Sequence, residues 1–287
     1  RKVWNFNLDW RYHCGDVTGA EAVAFDDKKW DVVAVPHTVQ LMPAEGSGCR
    51  NYQGIVWYRK HFVAPAGPVS VLHFEAVMGK QKFYVNGKLV KENMGGYLPV
   101  TINLTEAGVK PGSDVVVAVM ADNSDDKTYP PGKTQMTLDF TYHGGIYRDV
   151  WLIERQPVYI TDAVEENRTA AGGIFVHYAN ISERSAEVYV NTDLRNITSK
   201  AQSVTVQNTL SDAEGKVVKQ WKKSVSIPAN GIRTITQGSR ISNPKLWSPE
   251  SPYLYTVTTK IIGKMQVNGK TVKGVVDGGA TRIGIRS

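Results

Sequence analysis

The sequence has little of several features that would place a protein in a specialised class. Only two of its 287 residues are cysteines, Cys14 and Cys49, and they do not form a Cys-x-x-Cys pair. A disulfide-rich scaffold and an all-cysteine zinc site are therefore excluded. The two thiols either stay separate or form one bridge, which would stabilise the fold by about 3–4 kcal/mol on the loop-entropy model.

Long apolar runs are also missing. No stretch of 18 apolar residues occurs, so no membrane insertion is expected. The chain does not begin with Met and shows no secretory leader, which is typical of a processed or recombinant chain. Whether a signal peptide was removed stays open. Hydrophobic residues make up 41% and charged residues 21%, values typical of a folded globular protein. At about 150 residues per domain, the length predicts two domains.

Positive charge is unevenly distributed. Residues 1–157 contain 17 basic and 17 acidic side chains, whereas residues 158–287 contain 17 basic and only 10 acidic ones. Such an excess can indicate a polyanionic partner. Within residues 158–287, however, the longest basic cluster is the pair Lys222 and Lys223, and no nucleic-acid-binding motif accompanies it. We therefore expect a solvated, mildly basic strand face and no nucleic-acid partner.

Helix signals are scarce, and apolar residues recur with a period of two, which indicates β-strands. Asn86-Gly87 and Asn268-Gly269, each between two apolar runs, predict tight hairpins. The reason is that Asn-Gly readily adopts the two positive φ angles of a type I′ turn. A looser hairpin is expected around residues 212–215. The one helical turn predicted covers Asp26–Trp30, with Asp26 as its cap.

The pattern predicts an all-β protein of two domains, with a boundary near Gln156-Pro157. Residues 158–287 contain about seven short alternating strands separated by turn signals, which is typical of an immunoglobulin-like β-sandwich. Residues 1–157 are also nearly all β and rich in tryptophan, which favours a larger jelly-roll β-sandwich. We expect most of the tryptophans to be buried.

Nine segments, in this order along the chain, resemble the N-terminal part of family 2 glycoside hydrolases, the β-galactosidase and β-glucuronidase group. They are FDDKKW (25–30), VPHT (35–38), GIVWYRK (54–60), FE (74–75), VNGK (85–88), GGY (95–97), GGIYRDV (144–150), LWSPESPYLY (246–255) and GIR (284–286).

The resemblance implies a jelly-roll sugar-binding domain at 1–157, then an immunoglobulin-like sandwich at 158–287, with carbohydrate as the partner. In the family a catalytic (β/α)8 barrel follows, and this sequence ends at Ser287, about where the barrel would start. The family's two catalytic carboxylates lie in that barrel, so no catalytic residue is assigned here. A retaining glycosidase needs two carboxyl groups about 5–5.5 Å apart in one pocket. We expect this chain to be inactive by itself.

The acidic loop that follows the apolar run at 115–119 is the main candidate site. It extends from Asp122 to Asp139 and is long for a connection between strands, which indicates either function or disorder. By resemblance, a loop at this place reaches the barrel's active site, where an Asp contacts a sugar hydroxyl or a bound cation. The candidate substrate-binding residues are Asp125, Asn123, Asp122 and, from another loop, Asn51. The alternative is a solvated loop with turn-forming Asn and Asp.

Other marked residues point to structure rather than to chemistry. Two glycines in the GGIYRDV segment allow a tight bend, and Arg148 can pair with the carboxylate of Glu75 or Asp149. His37 is expected to be a hydrogen-bonded packing residue. No two of the six histidines have metal-ligand spacing. No cofactor is indicated, and a calcium, magnesium or sodium ion in the jelly roll is left open. Tyr97 and Tyr129 are candidates for stacking on a sugar.

Three functions are compatible with these observations. The first is the non-catalytic N-terminal portion of a family 2 glycosidase, with the missing barrel as partner. The second is a stand-alone carbohydrate-binding protein, and the third is a purely structural module. The resemblance also implies a bacterial periplasmic or secreted location. A homo-oligomer is left open.

Overall fold

The computed structural model describes residues 1–42, 51–267 and 269–286. The chain divides into two compact units, which we call the first unit (Lys2–Glu154) and the second unit (Arg155–Ser287 together with Arg1). This division lies a few residues before the predicted boundary at 157/158. Arg155, the last residue of a strand that otherwise lies in the first unit, falls within the second unit, where its guanidinium pairs with Glu165 at 2.5 Å.

The first unit is built from two antiparallel sheets. Its strands are β1 (Lys2–Asn5), β2 (Trp10–Cys14), β3 (Asp31–Val33), β4 (Ile55–Val63), β5 (Val69–Phe74), β6 (Gly79–Val85), β7 (Lys88–Gly95), β8 (Val100–Asn103), β9 (Asp114–Asp122) and β10 (Val150–Arg155). One sheet has the order β1-β10-β5-β8 and the other has the order β3-β2-β4-β9-β6-β7. The predicted jelly-roll β-sandwich is thus confirmed.

Several aromatic side chains pack together in the core of the first unit. Trp10, Phe74 and Phe83 are fully buried, and the ring of Phe74 lies 6.1 Å from Trp10 and 5.1 Å from Phe83, centroid to centroid. The expected burial of tryptophans is wrong for Trp4, which is 39% exposed. Trp4 lies on β1, the edge strand of its sheet, where fewer neighbours cover a side chain.

The second unit is also a sandwich of two sheets. Its elements are β11 (Val158–Ile160), α1 (Ala163–Glu166), β12 (Ile174–Ala179), β13 (Ser185–Asn196), β14 (Gln202–Ser211), β15 (Val217–Ile227), β16 (Gly231–Ser242), β17 (Tyr255–Val267) and β18 (Lys270–Ile283). One sheet contains β11, β12, β13 and β16, and the other has the order β15-β14-β17-β18. The predicted immunoglobulin-like sandwich is confirmed.

The predicted hairpins are present. Asn86 and Gly87 join β6 to β7 with φ angles of 50° and 79°. Val267 pairs with Lys270 at the second hairpin, where residue 268 lies outside the described residues. Residues 212–215 join β14 to β15, as expected.

The helix prediction is wrong in its place. Residues 26–30 form a turn, in which the Asp26 carboxylate accepts a hydrogen bond from Lys28 N two residues on. The neighbouring Asp27 carboxylate contacts Arg59 Nε at 2.8 Å and His61 Nε2 at 2.7 Å. The short helix α1 instead begins after Asp162, whose carboxylate accepts bonds from Val164 N and Glu165 N.

Candidate functional site

The candidate loop connects β9 to β10, and most of it is irregular. Its regular structure is a short 3-10 turn at Gln135–Thr137. It meets the segment 51–54, which precedes β4. We call residues 51–54 together with residues 122–142 the loop site.

Asn123 anchors the start of this loop. Its side chain is 2% exposed, Oδ1 accepts a hydrogen bond from Gly54 N at 3.0 Å, and Nδ2 donates to Tyr52 O at 2.7 Å. Gly144 packs against the same amide, because a Cβ at that position would lie 2.4 Å from Asn123 Nδ2. Both polar ends of Asn123 are therefore used to join the loop to segment 51–54.

Asp125 is the exposed acceptor at the centre of the loop site. Its Oδ1 accepts hydrogen bonds from Gln53 Nε2 at 2.7 Å, from Gln135 N at 3.1 Å and from the Tyr142 hydroxyl at 3.1 Å. Oδ2 accepts none from the residues that the structure describes. Burial, and next the bond to Asp125, raises the pKa of Tyr142 to about 12, so its hydroxyl keeps the donated proton at neutral pH.

Asn51 belongs to the same cluster. It is 6% exposed, its backbone N donates to Gln135 Oε1 at 2.9 Å, and its Nδ2 donates to Tyr142 O at 3.1 Å. Asn51, Asn123 and Asp125 are thus brought together through shared neighbours. Their hydrogen bonds give Asn51 and Asn123 a bracing role and leave one carboxylate oxygen of the exposed Asp125 without a hydrogen bond from the described residues.

Two further acidic residues of the loop have local roles. The Asp122 carboxylate accepts bonds from Ser124 N and Oγ at 2.9 and 2.6 Å, which closes a tight turn. The Asp126 carboxylate pairs with Lys80 Nζ at 2.6 Å. The hydrogen bond from Lys80, and next those from Thr128, hold the pKa of Asp126 well below its ordinary value. Both acids stabilise the loop.

An open depression of about 650 Å³ lies along the same loop, and we call it the aromatic depression. The residues that line it are Tyr97, Pro130, Pro131, Lys133, Thr137, Leu138, Asp139 and Phe140. Tyr97 is 50% exposed and Phe140 is 48% exposed, which is unusual for large apolar rings. Exposed aromatic rings beside a carboxylate and an ammonium group can stack on a sugar ring and bond its hydroxyls.

Sequence reasoning included Tyr97 but missed Asp139, Phe140 and Lys133 as lining residues. Asp139 marked the end of the predicted loop without being chosen. The sequence feature that could have identified Asp139 and Phe140 is that an acidic and an aromatic residue are adjacent inside a long loop. Tyr129, the other predicted stacking residue, is half-buried and lies outside this depression.

The GGIYRDV segment has the structural role that its pattern indicates. Gly145 has a φ of 90°, and a Cβ there would lie 2.2 Å from the Tyr58 hydroxyl. Arg148 pairs with Glu75 through Nε and Nη2, both 3.0 Å from one carboxylate oxygen, rather than in a two-oxygen fork. Asp149 is not its partner, since the Asp149 carboxylate accepts from Asn7 Nδ2.

His37 is a packing residue, as expected. Its Nδ1 lies 2.8 Å from the Tyr58 hydroxyl, and burial lowers the pKa of the imidazole. Within residues 1–42, 51–267 and 269–286, no group of three His, Cys, Asp or Glu side chains is arranged to hold a metal ion. The Cys14 thiol is exposed, and Cys49 lies outside the described residues.

The fold and the loop site define a class, namely a two-domain β-sandwich module with a long polar loop and an open aromatic depression on its first domain. The family model described as the sugar binding domain of glycosyl hydrolases family 2 matches residues 7–157, and the model described as glycosyl hydrolases family 2 matches residues 173–286. The chain belongs to glycosyl hydrolase family 2.

Curated relatives agree with this assignment. The chain is 30% identical over 304 residues to a β-glucuronidase of Formosa agariphila, a match that covers 100% of this chain and 30% of that protein. It is 30% identical over 271 residues to a β-galactosidase of Thermoanaerobacter pseudethanolicus, covering 93% of this chain and 34% of that protein. The chain thus spans about a third of the length of these relatives and corresponds to the N-terminal portion of such enzymes.

A solved structure shows the same fold. β-Glucuronidase 2 of Bacteroides uniformis, bound covalently to cyclophellitol-6-carboxylate aziridine, has a TM-score of 0.85 and 26% identity. The match covers 100% of this chain and 32% of that one. In the part of the chain that the structure describes, no helix has the length and apolar character needed to cross a bilayer.

Proposed function

We propose that this chain is the non-catalytic part of a retaining β-glycosidase, in which it supports a catalytic (β/α)8 barrel and completes the barrel's carbohydrate site. The aromatic depression is the observation that carries the proposal. It places two half-exposed rings and the Asp139 carboxylate in a domain whose family is described as sugar binding.

The loop site supplies the rigidity that such a role needs. Asn123 joins the loop to segment 51–54, and Asp125 accepts three bonds from three different chain positions. Binding groups held in advance lose less conformational entropy when a sugar arrives. We assign Tyr97 and Phe140 to ring stacking, Asp139 to a sugar hydroxyl, and Asp125 to a hydroxyl or to a bound cation.

The test uses the longer protein in which this chain is followed by a barrel. We expect it to hydrolyse a 4-nitrophenyl β-D-glucuronide or β-D-galactoside, and the 287-residue chain alone to hydrolyse neither. Asp139→Ala should lower kcat/KM by about tenfold or more, because a hydrogen bond to a charged group contributes about 1.5–3 kcal/mol. Leu98→Ala is the matched control, since Leu98 is 80% exposed beside Tyr97 and does not line the depression.

Two outcomes would overturn the proposal. One is hydrolysis by the 287-residue chain alone, and the other is equal activity of the Asp139→Ala and Leu98→Ala proteins. Calorimetric titration of the 287-residue chain with galactose and glucuronic acid separates a second candidate, a stand-alone carbohydrate-binding protein. The exposed rings of the aromatic depression are the observation that favours that candidate. A dissociation constant near 1 mM or tighter, measured without a barrel, would support it.

A further inference from the structure

The outer face of one sheet of the second unit is a concentrated basic surface. The strands β15, β14, β17 and β18 contain one acidic residue, Asp277. That carboxylate is 1% exposed and accepts bonds from Ile160 N and Arg1 Nη2, so it compensates no charge on the outer face.

The strand register identifies the side chains that share this outer face. Val204, Val206 and Leu210 of β14 are buried, so the intervening residues of β14 point outward together with the residues opposite them. We define the basic face by its five cationic residues. They are Lys222, Lys260, Lys264, Lys273 and Arg282.

The five cations are exposed, and none has an ion-pair partner within the described residues. Lys222 and Lys260 both lie opposite Gln207 on the strands that flank β14, which places their Cα atoms about 10 Å apart. Lys260 and Lys264 lie about 13 Å apart along β17. Arg282 lies opposite Thr256, which is about another 13 Å before Lys260, so cationic side chains recur at regular intervals in this direction.

On β14 and β15 the outward side chains between the cations bear hydroxyl and amide groups, whereas β17 and β18 also place Ile262 opposite Val275 on this face. Thr205 Oγ1 lies 3.0 Å from Ser224 Oγ, and Gln220 Nε2 donates to Thr209 Oγ1 at 3.1 Å. Both aromatic residues of the four strands, Trp221 and Tyr255, pair with inward-facing positions. A single-stranded nucleic acid would need aromatic rings on which its bases could stack, and this face offers none.

We propose that the basic face binds a linear acidic polysaccharide. Regularly spaced cations attract the repeated carboxylate or sulfate groups of such a polymer, and the intervening Thr, Ser and Gln side chains bond its hydroxyls. The choice of a polysaccharide rests on the proposed function. The surface lies on the second unit and uses none of the residues assigned to the aromatic depression.

The experiment measures the affinity of the 287-residue chain for immobilised polygalacturonate at low and at physiological salt. The test variant is Lys222→Gln/Lys260→Gln/Lys264→Gln. The matched control, Lys28→Gln/Lys88→Gln/Lys110→Gln, removes the same charge from exposed lysines of the first unit that form no ion pair with any residue the structure describes. We expect the test variant to bind about tenfold more weakly and to show a smaller salt dependence, because fewer counterions are released. The control should change less than about twofold.

If both triple variants lost affinity for polygalacturonate equally, the attraction would depend on net charge alone, and the proposal would be overturned. Tighter binding to a double-stranded DNA fragment than to polygalacturonate, with the same dependence on these lysines, would also overturn it. Circular dichroism and the three single substitutions confirm that a loss is not unfolding. The triple variant in the longer protein should hydrolyse 4-nitrophenyl glycosides normally, so failure here is distinguishable from failure of the proposed function.

Discussion

The two units bury their cores with different side chains. In the first unit, one large cluster adds six aromatic side chains, among them Trp10, Tyr58 and Phe74, to a majority of Val, Ile, Leu and Ala. In the second unit, two clusters are mainly Val, Ile and Leu. The connections differ as well: β9 and β10 of the first unit are joined by the long segment 123–149, whereas most strands of the second unit are joined by short turns.

One buried charge in each unit illustrates two ways in which such a group is compensated. Lys60 of the first unit is 9% exposed, and its Nζ lies 3.9 Å from the centre of the Phe6 ring and donates to Phe6 O and Leu8 O. Asp193 of the second unit is bound by Arg168, Thr161 and Thr234. A compensated carboxylate stabilises its surroundings, whereas an ammonium group without a carboxylate partner is costly to keep charged.

The largest effect is expected in the aromatic core. Phe74→Ala should lower the free energy of unfolding by about 3–5 kcal/mol, because a fully buried ring leaves a cavity between the sheets. Leu210→Ala is the matched change in the second unit and should cost about 2–5 kcal/mol. Urea unfolding followed by circular dichroism measures both. A smaller loss for Phe74→Ala than for Leu210→Ala would contradict the comparison of the two cores.

The next effect concerns Asp193. Replacement of Asp193 by Asn removes the negative charge that Arg168 and the two threonine hydroxyls contact. It should lower the free energy of unfolding by about 1.5–3 kcal/mol. Glu92→Gln serves as the control, because the Glu92 carboxylate lies 3.6 Å from Lys82 Nζ and both side chains are exposed. This control should change the free energy of unfolding by less than about 0.5 kcal/mol. Equal stabilities of the two variants would show that Asp193 contributes no more than a surface pair.

The smallest effect is a pH dependence from Lys60. Burial lowers the pKa of Lys60 from 10.5 to about 8. Between these values the unfolded chain binds more protons than the native one, so stability rises with pH. From about pH 8 to about pH 9.5 the native protein should gain about 1–2 kcal/mol relative to Lys60→Met, which cannot titrate. Denaturant midpoints across this range test the expectation, and parallel pH profiles for the two proteins would refute it.

Much of the fold was predictable because its signals are local. The period-two pattern identified the strands, and Asn86-Gly87 located a hairpin since few dipeptides adopt two positive φ angles. The residues 26–30 form a turn rather than the predicted helix, and the Asp27 carboxylate beside the expected cap pairs with Arg59, a residue far away in sequence. Local propensity carries no information about such a partner.

The candidate site shows the same limit. The sequence indicated a functional loop and named Asp125, but hydrogen bonds to Gln53, Gln135 and Tyr142 hold that carboxylate in place. Gln53 comes from a segment that lies far earlier in the chain, whereas Gln135 and Tyr142 lie further along the same loop. The depression that unites Tyr97 with Phe140 likewise joins two loops that are distant in sequence.

The sequence by itself determined the all-β class, the two-sandwich organisation, the family and the excess of positive charge after residue 157, because each depends on composition, short-range pattern or a series of motifs. Only the tertiary structure decided which acids brace the loop, which carboxylate oxygen is free, and which lysines share one face. Those properties depend on strand register and on burial, and both arise when segments distant along the chain pack together.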